Sequence, residues 1–227
     1  MKLSIVLPVL DEAAEIEAAL AALAPYRQRG VEVIVVDGGS LDRTPELARP
    51  LADRVLSASR GRSLQMNAGA AAAQGDVLLF LHADTRLPEG ADRLVLDGLA
   101  RSGRVWGRFD VRIDGGGLLG VVAAMMNARS RLTGIATGDQ ALFVTRAAFE
   151  ALGGFPPIAL MEDVALSARL KRIGRPLALR ARVTTSARRW RARGTLRTVL
   201  LMWRLRLRFF LGADPAKLAR QYGYADR

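Results

Sequence analysis

Carboxylates at the ends of apolar runs are able to bind a cation, grip a nucleotide and take up a proton, and this chain has three such places. They are Val35-Val36-Asp37-Gly38-Gly39-Ser40, Phe80-Leu81-His82-Ala83-Asp84-Thr85 and Leu160-Met161-Glu162-Asp163. Carboxylates at strand ends can converge on one rim of a sheet, where open α/β sheets bind their ligands. One would hold a nucleotide, a second a divalent cation, and a third would act as a base. Such a set suits transfer of a group from an activated nucleotide donor.

Each motif also has a plainer reading. Pro8-Val9-Leu10-Asp11-Glu12 and Asp37-Gly38-Gly39-Ser40 would lie side by side, with Asp37 accepting from a base and Glu12 lining the same cleft. Ordinary strand-to-helix turns also use Asp and Gly. No G-x-G-x-x-G follows the first strand, which counts against a dehydrogenase. Arg60-Gly61-Arg62 precedes a helix, and a helix N-terminus with arginine meets a phosphate or a base edge; a solvated loop would look the same. Asn67 and Gly69 in that Ala-rich helix both have lower helix propensity than alanine, so stability does not explain them. Strand alternation puts His82 and Asp84 on one side, and Asp84 suits Mg2+ or Mn2+, which favour oxygen ligands. His82, the only histidine, would otherwise be a satisfied strand-end residue. Asp163 at a helix start is either a general base or a helix-capping carboxylate. Trp106-Gly107-Arg108-Phe109 and Gly138-Asp139-Gln140 would border an acceptor cleft, though Trp106 and Phe109 fit a core equally well. Arg188-Arg189-Trp190-Arg191 would neutralise departing phosphates or form a solvated patch.

Those residues must be positioned by strands and helices in alternation. Residues 3–7, 31–36 and 77–81 are short apolar runs that read as buried strands. Residues 13–24 read as a helix with Ile16, Leu20 and Leu23 on one face. A second helix opens at Thr44-Pro45-Glu46, with Thr44 as N-cap and Leu47, Leu51 and Val55 as its stripe. Residues 65–73, 91–100, 118–131 and 162–173 read as helices, and Phe149–Leu152 ends another. Residues 105–113, 141–144 and 177–183 read as strands, and 195–211 as a long helix carrying arginines. Such alternation implies a mainly parallel sheet with crossover helices.

Composition narrows the class. The 227 residues, 50% hydrophobic, suit one large domain or one domain with an appendage. Without cysteine there is no disulfide, thiolate metal site or cysteine nucleophile. The N-terminal apolar run is short, meets Pro8 and then Asp11-Glu12, unlike a secretion signal. No stretch reaches the roughly 20 apolar residues that cross a bilayer, which favours a cytoplasmic location. The net charge of +12 is uneven: residues 1–163 hold 17 basic and 20 acidic residues, whereas 164–213 hold 14 basic and none acidic. That block suggests phosphates on nucleic acid, a membrane or a diphosphate ligand. Arg193, Arg197, Arg204 and Arg208 form a stripe beside Leu196, Leu200, Trp203, Leu207 and Leu211. A basic amphipathic helix of this kind lies on an anionic membrane, packs on its own domain, or pairs in a homodimer.

Taken together, Ser4-Ile5-Val6-Leu7-Pro8, Asp37-Gly38-Gly39-Ser40 with Asp42 and Thr44, Gly61-Arg62 to Gly69, His82-Ala83-Asp84, Gly138-Asp139-Gln140 and Glu162-Asp163 resemble family 2 glycosyltransferases of the GT-A fold. The likeness extends over about residues 3–190 and is nearest to a small bacterial group with a Gly-Arg-x-x-Gln-Met-Asn segment. It implies an α/β fold with a Rossmann-like, mainly parallel central sheet flanked by helices, and a basic C-terminal helical extension. Residues 1–190 would be the catalytic domain, its nucleotide half about 1–86 and its acceptor half about 87–190, with 191–227 the extension. The activity implied is inverting transfer from a nucleotide sugar, often UDP-linked, with Mn2+ or Mg2+. Pro8, Leu10, Glu12, Asp37, Gly38, Ser40, Arg62, Met66, His82 and Ala83 would bind the nucleotide, and Asp84 the metal. Asp163 would be the base with Glu162 beside it. Trp106, Arg108, Asp139 and Gln140 would meet the acceptor or donor sugar, and Arg188, Arg189 and Trp190 the diphosphate. His82 replaces the Asp that usually begins the family's DXD motif, and the absence of a fixed charge there lowers the expected metal affinity. The acceptor is open, a lipid-linked molecule at the inner face of the cell membrane being one class. A basic membrane- or nucleic-acid-binding module explains the arginines but not the spaced carboxylates, which would repel nucleic acid. A nucleotidyltransferase would need a glycine-rich, arginine-ended loop after the first strand, which is absent here.

Overall fold

The computed structural model describes residues 1–224. Its strands are β1 (Leu3–Val9), β2 (Glu32–Asp37), β3 (Arg54–Ser57), β4 (Val77–Phe80), β5 (Thr85–Arg86), β6 (Trp106–Ile113), β7 (Phe143–Thr145) and β8 (Leu177–Thr185). They form one eight-stranded sheet in the order β3-β2-β1-β4-β7-β6-β8-β5. β3, β2, β1 and β4 pair in parallel, as do β6 and β8. β7 runs antiparallel between β4 and β6, and β5 is an antiparallel edge on β8. The sheet is therefore mainly parallel, as the alternation predicts.

Helices cover both faces, which is why the central strands are apolar at nearly every position. Leu3, Ile5, Leu7, Val33, Val35 and Leu79 join one core, with Ile16, Leu20 and Leu23. Val6, Ile34, Val36, Leu78 and Phe80 point the other way and pack with Met66, Ala70, Leu166 and Leu170. The helices are α1 (Ile16–Ala21), α2 (Ala24–Arg27), α3 (Thr44–Ala48), α4 (Arg62–Ala72), α5 (Ala91–Ser102), α6 (Leu118–Thr133), α7 (Arg146–Ala151), α8 (Glu162–Ile173), α9 (Arg188–Arg193), α10 (Thr195–Phe210) and α11 (Pro215–Tyr222). A third core joins Leu205, Leu218 and Tyr222 to Leu160, Met161 and Val164, tying the C-terminal helices to the start of α8.

Several expectations need correction. The helix read over 13–24 is two short helices, with Pro25 in the first turn of α2. Val55 belongs to β3 and pairs with Val35, not to a helical stripe. Thr44 is the first residue of α3, not its N-cap; its hydroxyl accepts from Glu12 N at 2.8 Å. Around α10, the side chains that pack inward are Leu201, Met202, Leu205 and Phe209. Leu196, Leu200, Trp203, Leu207 and Leu211 face outward, 58% to 77% exposed. Among the described residues no helix is long and apolar enough to cross a membrane.

Two helical glycines make a test of this packing. A Cβ on Gly69 would stand 2.4 Å from Val6 Cγ1 and 2.9 Å from Val36 Cγ2, so α4 needs glycine to approach β1 and β2. A Cβ on Gly120 in α6 would meet nothing within 4 Å. Gly69→Ala is expected to cost roughly 1–3 kcal/mol by overpacking, whereas Gly120→Ala gains roughly 0.5–1 kcal/mol. Urea denaturation of both variants checks the opposite signs; equal effects would refute the packing account.

Candidate active site

Strand order reverses between β1 and β4, and the loops leaving their carboxyl ends part to leave a crevice. The β1 and β2 loops are laced together on one flank of that crevice. Asp11 N donates to Ser40 Oγ at 2.9 Å, Leu41 N to Asp11 Oδ1 at 2.8 Å, and Ala13 N to Asp42 Oδ2 at 3.0 Å. Asp11 and Asp42 are thus crosslinks between turns. α4 explains its own odd residues. Gln65 Nε2 donates to Val9 O and Val36 O, each at 2.8 Å, joining the ends of β1 and β2. Asn67 pairs with both the N–H and the carbonyl of Phe155 at 2.9 Å.

The crevice opens into a cavity of about 340 Å³ lined by Pro8, Glu12, Arg62, His82, Ala83, Asp84, Asp139, Glu162, Asp163, Arg188, Arg189 and Trp190. Asp84 and Asp163, far apart in the chain, face one space. Met161, in a left-handed conformation with φ 69°, turns the chain sharply into α8 so that both acidic residues enter its first turn. A non-glycine residue in that conformation costs roughly 1–2 kcal/mol, offset here by burial of Met161 in the third core. Asp163 Oδ2 accepts from Gly138 N at 2.6 Å and Oδ1 from Val164 N at 2.7 Å, which fixes the plane of the carboxylate. Gly138 also carries His82: a Cβ there would lie 2.5 Å from the imidazole Cε1. Burial, then Arg62 and Arg189, hold the His82 pKa well below its usual range, so the ring is neutral at pH 7. His82 Nδ1 is 3.8 Å from Asp139 Oδ1, beyond a hydrogen bond.

Charge is balanced across the cavity. Arg188 Nη2 lies 3.3 Å from Glu12, bridging the C-terminal segment to the β1 loop. Arg62 meets Glu162 at 3.5 Å and donates to Tyr224 Oη at 2.6 Å. Burial and then Asp84 push the Asp139 carboxyl up, against Arg189 and Arg62. Burial raises Glu12 as well, with Arg188 opposing.

Other candidates lie elsewhere. Leu10, Asp37, Gly38, Ser40 and Met66 do not line the cavity. Asp37 is 4% exposed and turns into its own loop, accepting from Gly39 N, Ser40 N and Ser40 Oγ. Met66 is core, and Gly38 abuts the Gln65 amide. The expected placement of Trp106 and Arg108 at an acceptor cleft is corrected. Trp106 is fully buried with Nε1 bonded to Gly174 O at 2.8 Å. Arg108 is buried against Asp110, which also holds Arg131 of α6 at 2.6 Å, so this group clamps α6 to β6. Gln140 is buried in a capping box with Thr137. Conversely, the cavity includes Arg129, Trp203, Arg206 and Tyr222, which motif spacing did not indicate. For Trp203, Arg206 and Tyr222 the only sequence signal was the basic, aromatic character of the C-terminal third; Arg129, in the acidic-leaning part of the chain, had none.

For a divalent cation the fit is partial. No three His, Cys, Asp or Glu side chains cluster tightly enough to hold a metal ion among the described residues. Asp84 and Asp139 nevertheless face the same cavity. Mg2+ commonly takes one or two carboxylates, completing its shell with waters and substrate phosphates, so the donor set suits a cation that arrives with a diphosphate.

Glu162 provides a pH test. Burial, with help from Asp163 and against Arg62, raises its pKa from 4.5 to about 7. Between those values the folded chain holds a proton that the unfolded chain has released. The linked stability is complete below pH 4.5 and is lost as pH rises through about 7. Wild type should therefore lose stability relative to Glu162→Gln between about pH 5 and about pH 8, by roughly 2–3 kcal/mol. Thermal unfolding across that range checks it; parallel curves would refute the titration.

The sequence model described as Glycosyl transferase family 2 matches residues 4–148. A probable glycosyltransferase of Bacillus subtilis (strain 168), YdaM, is 27% identical over 198 residues, covering 76% of this chain and 47% of that protein. The chain spans less than half the length of the curated relatives it matches. Among solved structures, S. aureus TarS in complex with UDP-GlcNAc superposes with a TM-score of 0.66 at 18% identity, over 82% of this chain and 58% of that one. Mannosyltransferase PcManGT from Pyrobaculum calidifontis, in complex with GDP-Man and Mn2+, gives 0.64 at 22%, over 90% and 60%. These likenesses show the GT-A fold of a mixed sheet flanked by helices. The chain belongs to glycosyl transferase family 2.

Proposed function

We propose that this chain transfers a sugar from a UDP-linked donor to a hydroxyl acceptor, in one displacement with inversion at the anomeric carbon. The observation that carries the reading is the single cavity at the β1/β4 switch point, which unites Asp84, Asp139 and Asp163 with Arg62, Arg188 and Arg189. The bound UDP-GlcNAc of TarS and the GDP-Man and Mn2+ of PcManGT support a nucleotide-sugar donor on this fold.

Residues 1–86 then serve the nucleotide and 87–190 the acceptor. Pro8, Glu12 and Ala83 flank the nucleoside. Asp37, paired with Val9 across the ends of β2 and β1, would take the base if its carboxylate exchanged Ser40 for the ligand. Arg62, Arg188, Arg189 and Trp190 face the diphosphate, where guanidinium forks match phosphate oxygens. Neutral His82 offers a hydrogen bond to a ribose or sugar hydroxyl. Asp84, with Asp139, would hold a divalent cation, which would supply charge neutralisation for the departing diphosphate. Asp163, fixed by two backbone N–H groups, accepts the acceptor's hydroxyl proton as that oxygen attacks. The new C–O bond forms at the anomeric carbon while the bond to the diphosphate breaks, releasing UDP. Glu162, paired with Arg62, orients the group that meets the leaving phosphate.

The outward apolar face of α10 lies beside exposed Arg197 and Arg204. With 14 basic and no acidic residues over 164–213, its complement is an anionic bilayer surface, which would bring lipid-linked acceptors to the cavity.

A thermal-shift screen of nucleoside diphosphates with Mg2+ or Mn2+ should show stabilisation by UDP. Asp84→Ala should weaken it, whereas Asp163→Asn should bind UDP normally yet lose donor turnover by on the order of 10²–10⁴-fold. Silence across all nucleotides would end the donor reading, and full turnover in Asp163→Asn would remove the base. In sedimentation with vesicles, wild type should pellet with phosphatidylglycerol but not with phosphatidylcholine alone, and Leu200→Ser with Trp203→Ser should abolish it. Equal pelleting of variant and wild type would sink the membrane contact.

A further inference from the structure

Two arginines in the cavity have no partner in the donor reading. Arg129 comes from α6 and Arg206 from α10, and both line the cavity near Asp163. Nε and Nη2 of Arg129 and Nε of Arg206 are enclosed and have no hydrogen-bond acceptor among the described residues. Neither guanidinium comes within ion-pair distance of a carboxylate there: the cavity's short ion pairs involve Arg62 and Arg188 instead. Buried donors and charges without partners are costly, and the two positive groups sit close enough to repel. Burial and then Arg206 push the Arg129 pKa down to about 10, and burial lowers Arg206 as well. Both remain charged at pH 7, and Asp163 acts on each of them across the cavity.

We propose that Arg129 and Arg206 form a second anion subsite, which binds a phosphate monoester on the acceptor. The charge count selects the ligand. Two adjacent guanidiniums match a group carrying about −1.5 to −2 at neutral pH, as a phosphate monoester does, better than a single carboxylate. Position agrees: an anion there sits on the Asp163 side, so the acceptor's phosphate and its reacting hydroxyl approach the base together. The wall beside the arginines is apolar, built from Val122, Met125 and Met126 of α6 and Val199, Met202 and Trp203 of α10. A phosphate carried on an alkyl chain would lay that chain along this wall, whereas a water-soluble phosphate would use the arginines alone.

This subsite rests on the donor reading, and one titration separates the two. Wild type is first titrated with UDP and Mg2+, then, at saturating UDP, with inorganic phosphate and separately with n-decyl phosphate, by calorimetry. Saturable phosphate binding to the UDP-loaded protein is expected. Arg129→Met and Arg206→Met should each weaken it roughly tenfold or more, the loss of a charged hydrogen bond. UDP affinity should hold in both, and the ligand-free variants should unfold at or above the wild-type temperature because an uncompensated buried charge has gone. Should a Met variant fail to fold, Arg129→Lys and Arg206→Lys keep the charge and should weaken phosphate by less. Tighter binding of n-decyl phosphate than inorganic phosphate assigns a lipid-borne acceptor; equal binding assigns a soluble one. Absence of phosphate binding in UDP-loaded wild type, unchanged binding in the variants, or loss of UDP affinity in parallel overturns the subsite. If wild type fails to bind UDP, the donor reading falls, and the phosphate response of the ligand-free protein still decides the subsite.

Discussion

Carboxylates gathered in one partly dehydrated cavity repel one another, and much of this fold is arranged around that repulsion. Glu12, Asp84, Asp139, Glu162 and Asp163 all face the same space. Burial drives Glu12, Asp139 and Glu162 toward their neutral forms. Against this stand Arg62 from α4 and, from the C-terminal segment, Arg188 and Arg189. The uneven charge of the chain thereby acquires a physical reason. An N-terminal region near −3 supplies the acidic rim, and part of the basic block of 164–213 folds back as its counter-charge. Arginines that resemble a nucleic-acid footprint when read linearly are partly consumed inside the protein's own cavity.

The scaffold was legible wherever the chain obeys a simple period. β1, β2 and β4 are apolar at nearly every position because both faces are covered, and such runs read directly as buried strands. α8 kept its predicted limits because Gly174 stops it and an acidic pair opens it. Legibility failed where local chemistry was borrowed by a distant partner. Thr44 looks like an N-cap, yet its hydroxyl serves the backbone of Glu12. Val55 fits a helical stripe only until its pairing with Val35 is seen. β3 and β5 are short strands at the sheet edges, with too few residues to display a period.

The cavity was legible as a set of acidic strand and helix ends, and less so as a set of contacts. Motif spacing pointed to Asp84 and Asp163, which line one cavity. It also pointed to Trp106 and Arg108, whose aromatic and cationic character is used to hold β6 against its neighbours. Alternation along β6 cannot reveal which face meets solvent when both faces are buried. Arg129 and Arg206 were hidden for the opposite reason. They sit in a helix and an arginine-rich stretch where charged residues ordinarily face water, and only the packing of α10 against α6 turns them inward.

The contact between Gly138 and His82 links the histories of two positions. The imidazole lies flush against the bare α-carbon, while the same residue's amide anchors Asp163. A side chain at 138 would have to displace that ring, and any backbone shift made to spare it would carry away the amide that holds Asp163.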